Sequence, residues 1–174
     1  GDIAEMAERI IEESEKLLMS VDKEREITDV LVDEQSSEPI DLGAVIDATV
    51  TATRERYPKA HITIQGTTDR QVRAIESINR ALTELLTNAV NHSDQTEPSI
   101  EITVENRGDA VAVRIADDGP GIPEMERKII TEDAEIEPLY HGTGMGLWLV
   151  KIIVEISGGS LAFDENEPRG SIVT

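Results

Sequence analysis

Seam positions recur along the first part of the chain at Ile3, Ala7, Ile10, Ser14, Leu17 and Val21, spaced 4, 3, 4, 3 and 4, with glutamate and lysine filling the gaps. This heptad-like spacing predicts one long helix over residues 1–32. A narrow seam pairs with another helix, as in a bundle. The competing reading, packing on the chain's own core, needs a wider stripe, and Met6, Ile11 and Leu18 widen this one on one side. Residues 33–41 are polar and contain Pro39, which predicts a linker.

Beyond the linker the periodicity changes several times. Asp41 is placed to cap a helix carrying Leu42, Val45, Ile46, Ala48 and Thr49, which ends near Arg56 because Tyr57 precedes Pro58. His61 to Gln65 alternates like a strand and stops at Gly66. Ile75, Ile78, Leu82, Leu85, Leu86 and Ala89 then return at helical spacing. Ile100–Glu105 and Ala110–Ala116 read as strands joined by the turn Asn106-Arg107-Gly108-Asp109. Residues 123–141 lack clear periodicity and predict a mobile loop with a short helix near 124–130. Leu147–Ile156 reads as a helix closed by Gly158-Gly159, and Ser160–Phe163 and Ser171–Val173 as strands, the last cut short at Thr174. Helices and strands in this order predict an α+β domain over residues 42–174.

Composition narrows the partners. A net charge of -20, from 36 acidic against 16 basic residues, repels nucleic acid and anionic membranes. The carboxylates are dispersed from Asp2 to Glu167, which favours a solvated acidic coat over a dedicated basic partner and suits a salt-loving source such as a halophilic archaeon. Without cysteine there is no disulfide, thiolate metal site or cysteine nucleophile. No apolar run approaches the roughly 18 residues of a membrane span, and no signal peptide opens the chain, so a cytoplasmic domain without direct membrane contact is expected.

Three stretches carry chemistry. Glu84, Asn88 and His92 are four residues apart on the predicted helix, so they share a polar stripe, with Asn91 beside it. An amide oxygen such as that of Asn88 is a hard neutral ligand suited to Mg2+. Asp117 ends a strand, and an ionised carboxylate accepts from an exocyclic amino group of the kind adenine offers. Gly119 and Gly121 clear Cβ atoms from the path of a purine and permit positive φ on either side of Pro120. Gly142, Gly144 and Gly146 run into a helix whose free N–H groups favour phosphate. Each stretch alone has a plain structural explanation: an exposed polar stripe, a strand-ending turn, a hinge.

In this order the stretches resemble the N, G1 and G2 boxes of the ATP-binding catalytic domain of sensor histidine kinases, within the Bergerat-type fold shared with gyrase, Hsp90 and MutL ATPases. The resemblance covers roughly residues 38–174 and implies a two-layer α/β sandwich, a mixed sheet covered by helices on one face. The first helix and linker resemble the second helix of the dimerisation hairpin, which favours bundle pairing and a homodimer in the full-length protein. The resemblance implies ATP and Mg2+ as cofactors, with Asn88 as metal ligand and Glu84 beside it in the catalytic stripe. It makes Asp117 the adenine reader, Gly119, Gly121 and Ile122 the adenine pocket, and Gly142, Thr143, Gly144, Met145, Gly146 and Leu147 the phosphate loop. Asn91 and His92 would line the phosphate side and 123–141 would form a lid. The implied reaction is transfer of the γ-phosphoryl group to a histidine, for signalling to a response regulator.

Position 91 is Asn where many family members carry a basic residue, and the aromatic F box and the His-Glu phosphoacceptor motif are absent. His61, His92 and His141 do not begin a long amphipathic helix, so the acceptor is expected on an upstream segment. A hydrolytic ATPase of the same fold, with Glu84 as base towards water, is the alternative, as is a non-catalytic nucleotide-binding or dimerisation module.

Overall fold

The computed structural model describes residues 2–32, 35–131 and 144–174. Helix α1 (Asp2–Val32) leads into β1 (Glu38–Asp41), α2 (Leu42–Arg56), β2 (His61–Gly66), β3 (Gln71–Ala74), α3 (Ile78–Asn91), β4 (Ser99–Arg107) and β5 (Ala110–Asp117). After α4 (Glu124–Thr131) and α5 (Gly144–Ile156), the chain closes with β6 (Phe163–Glu165) and β7 (Ser171–Val173).

The main sheet has the order β2-β4-β5-β7-β6, with β2 and β4 parallel and the other pairs antiparallel. Strand β4 shows why one face is covered: Ile100, Ile102 and Val104 are buried while Glu101 and Glu105 are not, the period-2 signature of a half-buried strand. On that face Leu42, Ile46 and Val50 of α2 and Leu82 and Leu86 of α3 join Ile62, Ile115 and the β4 residues in one apolar cluster. A second cluster joins Leu149, Val150 and Ile153 of α5 to Ile75, Ala81, Ile27 and Val30, and Leu85 packs against both. The predicted α+β sandwich is therefore present, with α3 at its centre.

Local signals behave as their chemistry requires. Asp41 caps α2, its Oδ1 accepting from Ala44 N at 2.9 Å, and the helix stops where Tyr57 precedes Pro58. Three expectations are corrected. Residues 38–41, assigned to the linker, form β1 and pair antiparallel with β3, which the sequence pattern did not show. Strand β6 spans 163–165 rather than 160–163, because its register is set by pairing Phe163 with Val173 and Glu165 with Ser171. The helix expected from Leu147 begins at Gly144, so Gly144 and Gly146 lie within it.

Helix α1 divides along its length. Ile27 and Val30 are buried against α5, whereas Ile3, Ile10, Leu17 and Val21 of the seam are all at least 59% exposed. At the boundary Lys23 Nζ reaches Glu84 Oε2 at 2.5 Å and Glu26 Oε2 at 3.2 Å. Burial alone would lower the lysine pKa, but hydrogen bonding and charge attraction from Glu84 and Glu26 outweigh it and hold the ammonium above 10.5. No helix among the described residues is long and apolar enough to cross a membrane.

Candidate functional site

Strand β5 carries Asp117 to the edge of a cavity of about 200 Å3 lined by the inner end of α3, the turn after β5, the start of α4, α5 and β7. Asn88, His92, Asp117, Gly119, Gly121, Ile122 and Leu147, drawn from all three sequence stretches, line this one cavity. Its apolar wall is made by Leu85, Ala89, Ile115 and Val173. No lysine or arginine is among its described lining residues.

Asp117 is held by backbone. Its Oδ1 accepts from Gly119 N at 2.9 Å and Ser171 N at 3.3 Å. No hydrogen bond among the described residues occupies Oδ2. Burial pushes the Asp117 carboxyl above its ordinary 3.8; the two N–H donors counter this and the charge of Asp118 adds to it.

The glycines act differently from one another. Gly121 takes φ +90°, the left-handed geometry expected beside Pro120, whereas Gly119 has no positive φ. Gly119 sits instead in a tight spot: a Cβ there would lie 3.0 Å from Asp117 Oδ1, which would have to give by a few tenths of an ångström, and in ordinary contact, 3.7 Å, with Ser93 Cα. A Cβ on Gly146 would meet Glu84 Oε1 at 2.0 Å and Asn88 Nδ2 at 3.2 Å, so this glycine lets α5 close on the polar stripe of α3.

Other expected residues are placed elsewhere. Glu84 is absent from the cavity lining, and its carboxylate is engaged by Lys23. Asn91 is exposed at the end of α3, outside the lining. Met145 is buried in the α1–α5 cluster because it lies on the α5 face opposite the cavity-lining side used by Leu147. Gly142, Thr143 and the 132–141 part of the expected lid lie outside the described residues.

A set of residues that sequence reasoning missed supports Asp117 from the β6–β7 connection. Asn166 Nδ2 donates to Asp117 O at 2.7 Å, and Arg169 donates from Nε to Gly119 O at 3.1 Å and from Nη2 to Asp94 Oδ2 at 2.8 Å. Gly170, at φ +113°, would place a Cβ 1.9 Å from Asp117 O. The only sequence signal for this support is the turn-forming run Pro168-Arg169-Gly170-Ser171 just before the last strand.

Residues 74–174 match the family described as histidine kinase-, DNA gyrase B- and HSP90-like ATPase. The chain belongs to this family. Among its relatives, the sensor histidine kinase CitA of Klebsiella pneumoniae is 40% identical over 93 residues, covering 52% of this chain and 17% of CitA. The signal transduction histidine-protein kinase/phosphatase MprB of Mycolicibacterium paratuberculosis is 31% identical over 142 residues, covering 76% of this chain and 26% of MprB. A solved structure of a mycobacterial sensor histidine kinase MprB superposes with TM-score 0.64 at 28% identity, covering 79% of this chain and 93% of that one. The chain thus spans about a quarter or less of these two curated relatives' length. It is similar to histidine kinase catalytic domains, and membership of this ATPase family supports ATP as its substrate.

Proposed function

We propose that the chain is the phosphoryl-donating part of a cytoplasmic sensor histidine kinase, which holds ATP and passes its γ-phosphoryl group to a histidine on an upstream segment, for signalling to a response regulator. The observation that carries this reading is the backbone-fixed Asp117 carboxylate facing the same cavity as Asn88 and His92. Asp117 accepts from the adenine amino group, Gly121 gives the base close backbone approach, and Asn88 and His92 stand on the phosphate side.

Asn88 fits a hard divalent ion: it is a half-buried amide lining the cavity beside the Gly146 backbone. Asn88 would hold Mg2+ there, and the ion would supply positive charge to offset that of the phosphates. The chain's own contribution is to orient the nucleotide and exclude water, as phosphoryl transfer mainly demands. Glu84 works against the hydrolytic alternative, because its carboxylate faces Lys23 and not the cavity. The exposed seam of α1 is the surface on which a second copy would pair, making the full-length protein a homodimer. The dispersed acidic coat fits a halophilic source.

Isothermal titration of the folded chain with AMP-PNP and Mg2+ tests the reading. Saturable binding that weakens on Asp117→Asn is expected, and no heat from a folded sample would sink it. Incubation of this chain alone with labelled ATP should leave it unphosphorylated, because α1 carries no histidine. Label on α1 would refute the donor-only role.

A further inference from the structure

Next to the nucleotide cavity lies a more polar one of about 300 Å3. Pro120, Gly121, Ile122 and Ser171 line both, so this strip of backbone is a partition between them. Arg169 lines only the second cavity and does not face the first.

Its guanidinium nevertheless joins three segments. It projects from the β6–β7 connection, donates through Nε to Gly119 O in the turn after β5, and donates through Nη2 to Asp94 Oδ2 in the loop after α3. The turn and that loop run close together beside these bonds, since a Cβ added to Gly119 would come to 3.7 Å from Ser93 Cα. A surface ion pair with Asp94 alone would be worth little. The added bond to a backbone carbonyl, made by a rigid planar fork, is what turns the side chain into a brace. Arg169 also holds the Asp94 carboxyl below its ordinary 3.8, so the pair stays charged at neutral pH.

Each end of the brace sits close to a residue of the nucleotide site. Gly119 lies two residues from Asp117 and donates to its Oδ1. Asp94 lies two residues beyond His92, at the end of the helix that carries Asn88. Guanine presents a carbonyl where adenine presents its amino group, so a carboxylate rejects guanine only while the base cannot slide away from it. Resting on the nucleotide reading above, we propose that Arg169 is a positioning residue that fixes the base side of the site relative to its phosphate side and thereby sets the preference for adenine over guanine.

Titration calorimetry with AMP-PNP, GMP-PNP and bare tripolyphosphate, each with Mg2+, tests this. For Arg169→Ala the AMP-PNP dissociation constant should rise about five- to tenfold, the scale of one ordinary hydrogen bond, and the AMP-PNP over GMP-PNP preference should fall by a similar factor. Tripolyphosphate affinity should stay within about twofold, because the phosphate side keeps its own residues. Arg169→Lys should recover only part of the preference, since an ammonium lacks the fork. Adding Asp94→Ala to Arg169→Ala should cost nothing further, as expected for partners in one interaction.

An Arg169→Ala variant with wild-type preference overturns the proposal. So does one that loses AMP-PNP and tripolyphosphate equally with a fallen urea midpoint, which would mark a merely structural residue. Wild-type protein that binds no AMP-PNP removes the nucleotide reading and this inference with it, a result distinct from wild-type binding beside an indifferent Arg169→Ala.

Discussion

Replacing Gly170 by alanine should damage the fold and the proposed nucleotide cavity together. The new Cβ would lie 1.9 Å from Asp117 O and 2.7 Å from Asp117 C, atoms of backbone that cannot rotate aside. Contacts under 3.0 Å do not persist, so the β6–β7 connection and the end of β5 must separate by roughly 1 Å or more. That movement strains the bond from Asn166 Nδ2 to Asp117 O and the one from Ser171 N to Asp117 Oδ1. Two such bonds are worth about 1 kcal/mol each. Holding an L-residue at φ +113° adds about 1–3 kcal/mol. The expected loss is about 3–5 kcal/mol in a urea titration, or roughly 6–20 °C in melting temperature. AMP-PNP affinity should fall at least about tenfold, because the displaced carboxylate is the proposed base reader. Gly158 is the internal control: it has φ +79°, and a Cβ there would meet nothing within 4 Å, so Gly158→Ala should cost only about 1–2 kcal/mol and leave binding alone. Equal urea midpoints and equal affinities for the two variants would refute the reasoning.

Four further outcomes are expected. AMP-PNP affinity should decline as pH falls through the raised Asp117 pKa, since the acceptor form is lost; in the unliganded protein the same shift means that stability falls as pH rises from 3.8 through that value. Asp117→Asn should flatten the affinity profile and weaken binding about five- to tenfold, and a surviving acid limb would assign the titration to another group. Lys23→Ala should cost about 1–2 kcal/mol, between the values of exposed and buried pairs, and speed amide exchange at Ile27 and Val30; the stabilisation is present below pH 10.5 and lost above it, and unchanged exchange would show that the pair does not dock α1. Leu149→Ala, at a residue 1% exposed, should cost about 2–5 kcal/mol in urea. If the acidic coat is an adaptation to salt, the urea midpoint should rise between dilute buffer and molar KCl, and a flat response would remove the halophilic reading.

The parts of the fold legible in the sequence were those whose signal is local. The α3 stripe and the β4–β5 hairpin each show their period and turn within one contiguous stretch. Strands β1 and β3 each have four residues of mixed polarity, and they become strands only by pairing across the intervening α2 and β2. The same division holds at the site. Asn88, Asp117 and Gly121 belong to contiguous motifs, whereas Lys23 reaches Glu84 from 61 residues away and Arg169 reaches Gly119 from 50. Nothing in the neighbours of either cation announces its partner. Gly170 carried a turn signal, but its role, leaving room for the carbonyl of Asp117, exists only once β7 lies beside β5.

For the proposed nucleotide site, a cavity without a described lysine or arginine in its walls, set in a chain of net charge -20, reverses the usual salt dependence of encounter. A nucleotide triphosphate carries its own negative charge into a negative field, so diffusion towards the mouth is slowed at low ionic strength rather than steered. Raising salt from about 0.01 M to 1 M shortens the screening length from about 30 Å to 3 Å and lifts that barrier. Association should therefore quicken as salt is added, which makes ionic strength a throttle on how often the site is loaded.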